Sequence, residues 1–420
     1  MLIEFSVANY RSFRERQTFS MVAAPRLGKR QNTFRPNLPG DKLPALLTVA
    51  AIYGPNASGK SSLMSAMSLI RKLALREPTV ASKQLPVVPF RFDQELIDKP
   101  SEFEVHFIAE NIRYQFILRL TATRIIEETL ISYPKGRELE LYSRVYDGNS
   151  EIYSFSNLEG GSEVHGTWRK LTGPRTLFIL QAVANSSEDL LQLKAPFEWL
   201  QSGIAVVQSG DLAHYASASR VVVRKMSNIV GAVCEFLQDV DVPVTEIYFE
   251  AIDDGFVDDT ELNKFNPSQI ASHNEAYKTK LTHKTALGEA EFDFDEESEG
   301  TKNLMGFWLP WSVVVDGGAF KALAVDELDS SLHPKIVADL IQKHIARCNG
   351  AQLIFTTHDT HLMNTKLLRR DQFWLTERDM NGATQLRSIH EFKGRESEDV
   401  EKRYFEGRYR GLPVTKGAPE

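Results

Sequence analysis

The alternation of apolar and polar residues at the start of the chain predicts short β-strands. Leu2 to Tyr10 alternate and then run into a turn at Arg11-Ser12-Phe13, and a second strand fits Gln17 to Ala23. Ala45 to Tyr53 form an apolar run that is short enough for a buried strand. Apolar residues then recur at helical spacing from Lys60 to Leu73. A strand, a glycine loop and a helix therefore follow one another directly.

The rest of the chain changes character twice. Several alternating segments between residues 78 and 157, such as Glu102 to Ile108, indicate antiparallel strands. Residues 187–240 have helical periodicity without sustained heptads, so a long coiled-coil arm is not expected. The last third alternates helices with apolar strands at Ala322–Val325 and Gln352–Thr356. This last pattern predicts a parallel α/β sheet.

Composition and charge exclude several classes of protein. The 420 residues are 42 % hydrophobic and 25 % charged, which excludes wholesale disorder and a fibrous repeat. The net charge of −7 argues against a protein that coats nucleic acid or membrane over most of its surface. Residues 26–44 are rich in Arg, Lys, Asn, Pro and Gly, as a surface connection would be. Cys234 and Cys348 are too few for a disulfide framework. The residues from Met1 to Val7 lack the basic flank and apolar run that are typical of a signal peptide, and no run of about 18 apolar residues occurs in the sequence. We therefore expect a cytoplasmic protein without a membrane partner.

The glycine loop between the predicted strand and helix has the pattern of a phosphate-binding loop. It is formed by Gly54-Pro55-Asn56-Ala57-Ser58-Gly59-Lys60-Ser61. We expect backbone amides at the helix start to hold nucleotide phosphates, Lys60 to bridge the terminal phosphates and Ser61 to bind magnesium. The residues expected to contact the nucleotide here are Asn56, Ala57, Ser58, Gly59, Lys60, Ser61 and Ser62. The alternative is a glycine turn before a helix, but that gives no reason for the lysine and serine.

A pair of carboxylates follows the apolar strand Ala322–Val325. Such a strand end delivers Asp326 to the magnesium shell beside Ser61, and Glu327 then orients the attacking water. Taken alone, the segment is also compatible with a buried strand that has a charged exit turn. The phosphate loop upstream favours the catalytic interpretation.

The carboxylate pair is followed at once by Leu328-Asp329-Ser330-Ser331-Leu332-His333-Pro334. Here the sequence resembles the ATP-binding-cassette class of ATPases, in its chromosome-maintenance and RecF-like branch. The resemblance implies ATP as the nucleotide with Mg²⁺, and it implies that Asp329 belongs to the D-loop. His358, just past the strand Leu353–Thr357, matches the switch histidine that contacts the γ-phosphate in this class. A rival interpretation takes His358, Asp359 and His361 as ligands of zinc or manganese.

The segment Ser298-Glu299-Gly300-Thr301-Lys302 resembles the signature of this class in its position before Asp326. Glu299 and Thr301 depart from the usual glycine and glutamine, and a serine N-cap before an ordinary helix is the alternative. In the class, the signature of one protomer closes over the nucleotide of another. The resemblance therefore implies that Ser298 and Gly300 contact ATP across a homodimer or a higher homo-oligomer.

Two further contacts of the class have weaker matches. Asn9-Tyr10-Arg11-Ser12-Phe13 resembles the segment that leads toward adenine and ribose, which implies a contact from Arg11 or Ser12; a solvated turn is the alternative. The glutamine of the Q-loop stays unassigned, because neither Gln84 nor Gln94 has a convincing context.

The two ends of the chain resemble a narrower group. Tyr404 to Pro413, taken with Phe5 to Phe13, are similar to bacterial AAA-type ATPases of the abortive-infection kind, AbiLi-like or RloA-like. These are subunits of two-gene phage-defence modules. Too few residues follow Glu377 for a Toprim domain, so the resemblance implies a separate nuclease or toxin chain as the effector.

These observations predict an α/β fold, an ABC/SMC-like P-loop ATPase head with a β-rich and helical insertion and no long coiled coil. The predicted parts are residues 1–75 with the phosphate loop, the insertion 76–270, and residues 271–420 with the signature, Walker B strand, D-loop and switch histidine. The predicted function is slow ATP hydrolysis that gates the effector in defence against phage. The alternatives are a RecF-like clamp that uses ATP to bind DNA in repair, and, more weakly, the ATPase subunit of a membrane transporter.

Overall fold

The computed structural model describes residues 1–76, 84–187, 189–251, 277–318, 320–347, 349–396, 398–409 and 411–412. Cys348, residues 252–270 of the predicted insertion, and Arg410 and Pro413 of the C-terminal motif lie outside the described residues. The strands are β1 Leu2–Ala8, β2 Gln17–Ser20, β3 Thr33–Phe34, β4 Leu46–Leu47, β5 Val49–Tyr53, β6 Ser101–Ala109, β7 Ile112–Leu120, β8 Ile125–Tyr133, β9 Leu139–Tyr146, β10 Glu151–Ser154, β11 Ile204–Val207, β12 Val244–Ala251, β13 Tyr277–Thr285, β14 Gly288–Asp293, β15 Ala322–Val325, β16 Gln352–Thr356, β17 Phe373–Arg378 and β18 Thr384–Ser388. The helices are α1 Lys60–Ala74, α2 Gly161–Leu171, α3 Phe178–Ala184, α4 Lys194–Ser202, α5 Leu212–Lys225, α6 Val230–Gln238, α7 Glu299–Val315, α8 Pro334–Arg347 and α9 Val400–Phe405.

A six-stranded sheet forms the centre of the fold. Its order is β11-β15-β16-β5-β17-β18, and all neighbours are parallel except the last pair. Alternate residues of these strands enter two different hydrophobic cores, one that includes α1 and one that includes α5, α7 and α8. Because both faces are covered, the strands are continuous apolar runs, as in Val49-Ala50-Ala51-Ile52-Tyr53. The predicted α/β class is confirmed.

A second, antiparallel sheet has the order β10-β9-β8-β7-β6-β1-β2. Strand β1 pairs with both β2 and β6, so the start of the chain lies in the same sheet as the β-rich segment. The buried side chain of Gln352, at the start of β16, joins the two sheets: it accepts a hydrogen bond from the Leu2 amide at 2.7 Å and donates one to the Leu2 carbonyl at 2.9 Å. Residues 1–75 and 76–270 therefore share a sheet, and the division into three parts stays a prediction.

A smaller sheet and a pair of closely packed helices complete the fold. Strands β12, β13 and β14 form the sheet, and the last of them leads to α7. Helix α7 packs against α5, where a Cβ on Gly306 would lie 2.3 Å from the Leu212 carbonyl oxygen. In the described part of the chain the longest helix, α7, has 17 residues, so no long coiled-coil arm is present there. A search of the same residues finds no helix with the length and apolar character that crossing a membrane requires.

Candidate functional site

The phosphate loop lies between β5, which ends at Tyr53, and α1, which begins at Lys60. Gly59 caps the helix at φ 108°, a conformation that favours glycine. A Cβ at this position would lie 2.1 Å from the Thr384 hydroxyl oxygen, and one at Gly54 would lie 2.3 Å from that of Thr376. The two glycines therefore let the loop pass under β17 and β18 at distances that no side chain permits.

The start of α1 suits a bound anion. The first turn of the helix contains no acidic residue, so its free amides and the positive end of the helix dipole are not neutralised by the chain. Ser61, Asn56 and Ala57 are exposed, whereas Ser58 is buried with its hydroxyl 2.6 Å from that of Thr376. The loop therefore combines a buried anchor with an exposed rim that phosphates can reach.

Lys60 is the buried cation of the loop. Its ammonium donates hydrogen bonds to the carbonyl oxygens of Gly54 at 2.8 Å and Pro55 at 3.3 Å. Burial lowers the pKa of Lys60, and nearby carboxylates oppose this shift. The opposing carboxylates are those of Asp326, Glu327 and Asp329. The lysine of the loop and the carboxylates after β15 thus belong to one electrostatic site.

Asp326 follows β15 and is 3 % exposed. The hydroxyl of Thr356, at the end of the neighbouring strand β16, donates to its Oδ1 at 2.6 Å. The same hydroxyl accepts a hydrogen bond from the Glu327 amide at 2.7 Å. One buried threonine therefore fixes both carboxylate residues, a role that the sequence analysis missed because Thr356 is far from them in sequence.

Glu327 is fixed from a second side. Its backbone has φ 57°, and its Oε2 accepts a hydrogen bond from the Ser209 hydroxyl at 2.9 Å. Ser209 and Gln208 follow β11, the strand parallel to β15. Neither Ser209 nor Gln208 was predicted as a site residue from the sequence. The pattern that indicates them is the apolar run Ile204–Val207 followed by polar residues.

Gln84 and Gln94, the two glutamines considered for the Q-loop, are exposed. Gln94 begins a 3₁₀ turn that ends at Leu96. Gln208, in contrast, follows a strand of the central sheet, and its backbone N–H donates to the Asp211 carboxylate at 3.2 Å. The carboxyl end of β11 thus brings a glutamine to the same edge of the sheet as Glu327.

Asp329 and His358 are neighbours in the structure. The His358 amide donates to Asp329 Oδ2 at 3.2 Å, and the His358 side chain is exposed. Asp359 caps a 3₁₀ turn, and its Oδ1 accepts from the His361 amide and lies 3.0 Å from that imidazole. Within the described ranges, no group of three or more His, Cys, Asp or Glu side chains is arranged to hold a metal ion. The structure therefore does not support the zinc or manganese cluster.

The predicted signature begins α7. The Ser298 hydroxyl accepts a hydrogen bond from the Thr301 amide at 3.1 Å, as an N-cap does. Gly300 lies so close to the segment after Asp329 that a Cβ would be 2.9 Å from the Ser331 carbonyl oxygen. Among the described residues, no hydrogen bond joins Ser298 or Gly300 to the phosphate loop of the same chain.

Arg11 and Ser12 lie beside the phosphate loop. The Arg11 guanidinium donates to the Ser65 hydroxyl of α1 at 3.0 Å. The backbone amide of Thr384, at the start of β18, donates to the Ser12 carbonyl at 2.8 Å. The Thr384 hydroxyl lies 2.8 Å from the Ser12 hydroxyl and 2.8 Å from the Ser58 carbonyl. The turn after β1 and the start of β18 thus meet on the loop, and sequence reasoning gave no sign of Thr384.

The α/β fold with a phosphate loop between β5 and α1 is the arrangement of a P-loop ATPase. A family model described as "AAA domain, putative AbiEii toxin, Type IV TA system" matches residues 49–167 and 212–364, together more than half of the chain. The chain belongs to this family, and membership indicates an ATP-binding protein. A sequence comparison with curated proteins gives no match.

Two solved structures have a similar arrangement. One is described as the SMC head bound to the C-winged helix domain of ScpA, with 13 % sequence identity, a TM-score of 0.46, and coverage of 96 % of this chain and 99 % of that one. The other is the SMC head domain from Thermotoga maritima, with 12 % identity, a TM-score of 0.40, and coverage of 92 % and 98 %.

Proposed function

We propose that the protein binds ATP with Mg²⁺ at the phosphate loop and hydrolyses it slowly. The observation that carries the proposal is the convergence of three elements: the ammonium of Lys60, the carboxylates of Asp326 and Glu327, and the hydroxyl of Thr356 that fixes the carboxylates. A buried lysine opposite the buried carboxylate of Asp326 and the half-buried one of Glu327, at a helix start without acidic residues, is an arrangement suited to a polyphosphate and its cation.

The residues fit a nucleotide with magnesium. The loop leads into the N-terminus of α1, whose first turn contains no acidic residue, and Asn56, Ala57 and Ser61 are exposed there. Ser61 and Asp326 would hold the magnesium, which neutralises charge between phosphates when it is bound. Lys60 then exchanges its two neutral carbonyl acceptors for anionic phosphate oxygens, which are stronger partners for an ammonium group.

The roles at the reacting end follow from the side chains there. Glu327 orients the attacking water and accepts its proton, and Ser209 holds one of its two carboxylate oxygens in place. His358 has an exposed imidazole beside Asp329 and is assigned to the γ-phosphate. Gln208 takes the role of the glutamine left unassigned from the sequence, and Arg11 the contact with the base.

The proposed active state is a homodimer or a higher homo-oligomer. Ser298 is exposed, and Gly300 packs on the segment that begins with Asp329, so these three residues are available as one surface. The chain has one phosphate loop, so a signature that closes over ATP requires a second copy. ATP is then held between Ser298, Gly300 and Asp329 of one protomer and the loop of the other.

The proposed biological role is defence against phage, with a separate nuclease or toxin chain as the gated effector. The family description supports a defence-type system, and the narrower resemblance at the two ends of the chain supports a two-gene module. Tyr404 and Tyr409 of the C-terminal motif are buried in the core that contains α7 and α8. These two residues of the motif therefore pack with helices of the same core.

Two variants test the proposal. Lys60→Ala removes the buried ammonium and is expected to abolish ATP binding in a calorimetric titration, whereas Lys72→Ala, on the exposed face of the same helix, leaves it unchanged. Glu327→Gln is expected to bind ATP normally and to lose about 10² to 10⁴ in turnover. Equal ATP affinity in Lys60→Ala, or unchanged turnover in Glu327→Gln, would contradict the assignments.

The same Glu327→Gln protein tests the assembly. We expect its particle mass to double or rise further in ATP and magnesium, and a tagged form to co-purify with a second chain from its own host. A Ser298→Arg variant should bind ATP and remain monomeric. A monomer in ATP for both variants would contradict the dimer, and DNA without a second protein would favour the repair clamp.

A further inference from the structure

A cleft of about 680 Å³ lies away from the nucleotide site, and its lining residues come from the segments 22–35 and 44–45 and include Arg369. The apolar part of the lining includes Val22, Ala23, Phe34 and Ala45, and the polar part includes Arg26, Arg30 and Arg35. Its volume falls within the ~300 to 1,000 Å³ that is common for ligand sites. The cleft thus combines an apolar floor with a rim of guanidinium groups.

The three rim arginines are exposed and free. Within the described residues, none of the guanidinium groups of Arg26, Arg30 and Arg35 forms a hydrogen bond or an ion pair with the protein. The one acidic residue between Arg26 and Pro44 is Asp41, and its carboxylate is bound to Arg113 at 2.9 Å. The Glu396 carboxylate also reaches this region, where it accepts a hydrogen bond from the Gly28 amide at 2.7 Å. In a chain with a net charge of −7, the positive charge that the three arginines add here is local and attracts an acidic partner.

The wall of the cleft is held in place by buried polar contacts. Arg369 is 4 % exposed and forms a two-pronged ion pair with Asp371, with nitrogen–oxygen distances of 2.7 and 2.9 Å. Its other hydrogen bonds go to the carbonyl oxygens of Ala24 at 2.9 Å and Gly28 at 3.1 Å. Asp371 accepts from the Ala24 amide at 2.7 Å. The cleft is therefore preformed, which lowers the entropic cost of binding.

The cleft lies at the opposite end of the central sheet from the phosphate loop. Arg369 and Asp371 precede β17, whereas the phosphate loop follows β5, and these two strands are parallel neighbours. The side chain of Gln372, just before β17, donates to the Val49 carbonyl at the start of β5. A ligand in the cleft can therefore bind without contact with a nucleotide.

We propose that this cleft binds an extended acidic segment of a partner protein, with carboxylates on the arginine rim and aliphatic or aromatic side chains on the floor. Arginine forks bind carboxylates in a two-pronged geometry, and arginine is enriched where proteins meet. A polynucleotide fits less well, because stacking platforms and a continuous basic track are needed for its bases and backbone. The floor instead offers mainly alanine and valine side chains, and Phe34, the one aromatic ring among the lining residues of the cleft, is half-buried.

Fluorescence anisotropy with a labelled twelve-residue peptide of alternating Glu and Leu tests the proposal. We expect salt-sensitive binding to the full chain and a loss of affinity of at least tenfold in Arg26→Gln/Arg30→Gln/Arg35→Gln. The matched control, Lys72→Gln/Lys170→Gln/Lys194→Gln, removes the same charge from exposed helix positions and should keep the affinity. Equal melting temperatures and ATP binding would show that each triple variant folds.

Two further probes separate the sources of affinity. A peptide of alternating Glu and Gly lacks apolar side chains and should bind more weakly, which would support the use of the floor. A 20-nucleotide oligothymidylate that binds more tightly than the Glu-Leu peptide, and loses affinity in the arginine variant, would overturn the proposal in favour of nucleic acid. No binding of the Glu-Leu peptide at millimolar concentration, or equal binding by the arginine variant, would also overturn it.

Discussion

Replacing Thr356 by valine should damage the site more than its small change in shape suggests. The Thr356 hydroxyl is fully buried, donates to Asp326 at 2.6 Å and accepts from the Glu327 amide at 2.7 Å. Thr356→Val keeps the volume but leaves a carboxylate oxygen and an amide without these partners. A hydrogen bond to a charged group contributes about 1.5 to 3 kcal/mol, and an unpaired buried amide costs about 1 to 3 kcal/mol. We expect the free energy of unfolding to fall by about 3 kcal/mol.

Thr356→Ser is the matched variant, because it keeps the hydroxyl and loses a methyl group. Removal of one buried methyl costs about 1 kcal/mol. Urea denaturation followed by circular dichroism should therefore rank wild type above Thr356→Ser and Thr356→Ser above Thr356→Val, with equal slopes. ATP turnover should follow the same order, since the hydroxyl fixes the backbone of Glu327. A valine variant at least as stable as the serine variant would refute the hydrogen-bonding argument.

Three further predictions concern other parts of the fold. Burial lowers the pKa of His344 from 6.5 to about 4, so the unfolded chain binds more protons than the folded chain between these two pH values. The free energy of unfolding of the wild type should therefore fall by roughly 3 kcal/mol from pH 7 to pH 4. The fall should be smaller in His344→Gln. Glu128 is buried and accepts three hydrogen bonds. Glu128→Ala should lower the free energy of unfolding, measured by urea denaturation, by about 3 to 5 kcal/mol. The neighbouring control Glu127→Ala, on a more exposed side chain, should change it by less than about 1 kcal/mol. Gly59→Ala places a Cβ 2.1 Å from the Thr384 hydroxyl oxygen and should abolish ATP binding in calorimetry. Gly166→Ala is the control, because Gly166 has open space around it in α2; this variant should keep ATP binding and raise the melting temperature. Unchanged pH dependence in His344→Gln, equal midpoints for the two glutamate variants, or normal ATP binding by Gly59→Ala would each contradict the corresponding argument.

The parts of the site that are contiguous in sequence could be predicted from it. Strand β5, the phosphate loop and α1 follow one another, and Asp326 with Glu327 follows a short apolar run, so a few neighbouring residues determine each local structure. The roles of these residues stay predictions until a nucleotide-binding measurement is made. Their positions already bring Lys60 and both carboxylates into one electrostatic site.

The contacts between distant segments could not be predicted. Ser209 meets Glu327 because β11 and β15 are neighbours in the central sheet. Thr384 meets Ser12 because the turn after β1, a strand of the antiparallel sheet, packs on the start of β18 in the central sheet. Pairing in a sheet depends on which strands are neighbours, and apolar runs alone do not specify the order. For the same reason the sequence did not show that β1 belongs to the antiparallel sheet.

The position of β5 in the central sheet has a consequence for how the protein is made. Both of its neighbours, β16 and β17, come from the last third of the chain. During synthesis the five buried residues Val49–Tyr53 therefore leave the ribosome long before any strand exists to pair with them. The nascent chain must keep this apolar segment from aggregation until β16 and β17 have left the ribosome. Ribosome-associated chaperones should therefore engage it, and nucleotide can assist folding of the central sheet only after those strands are available.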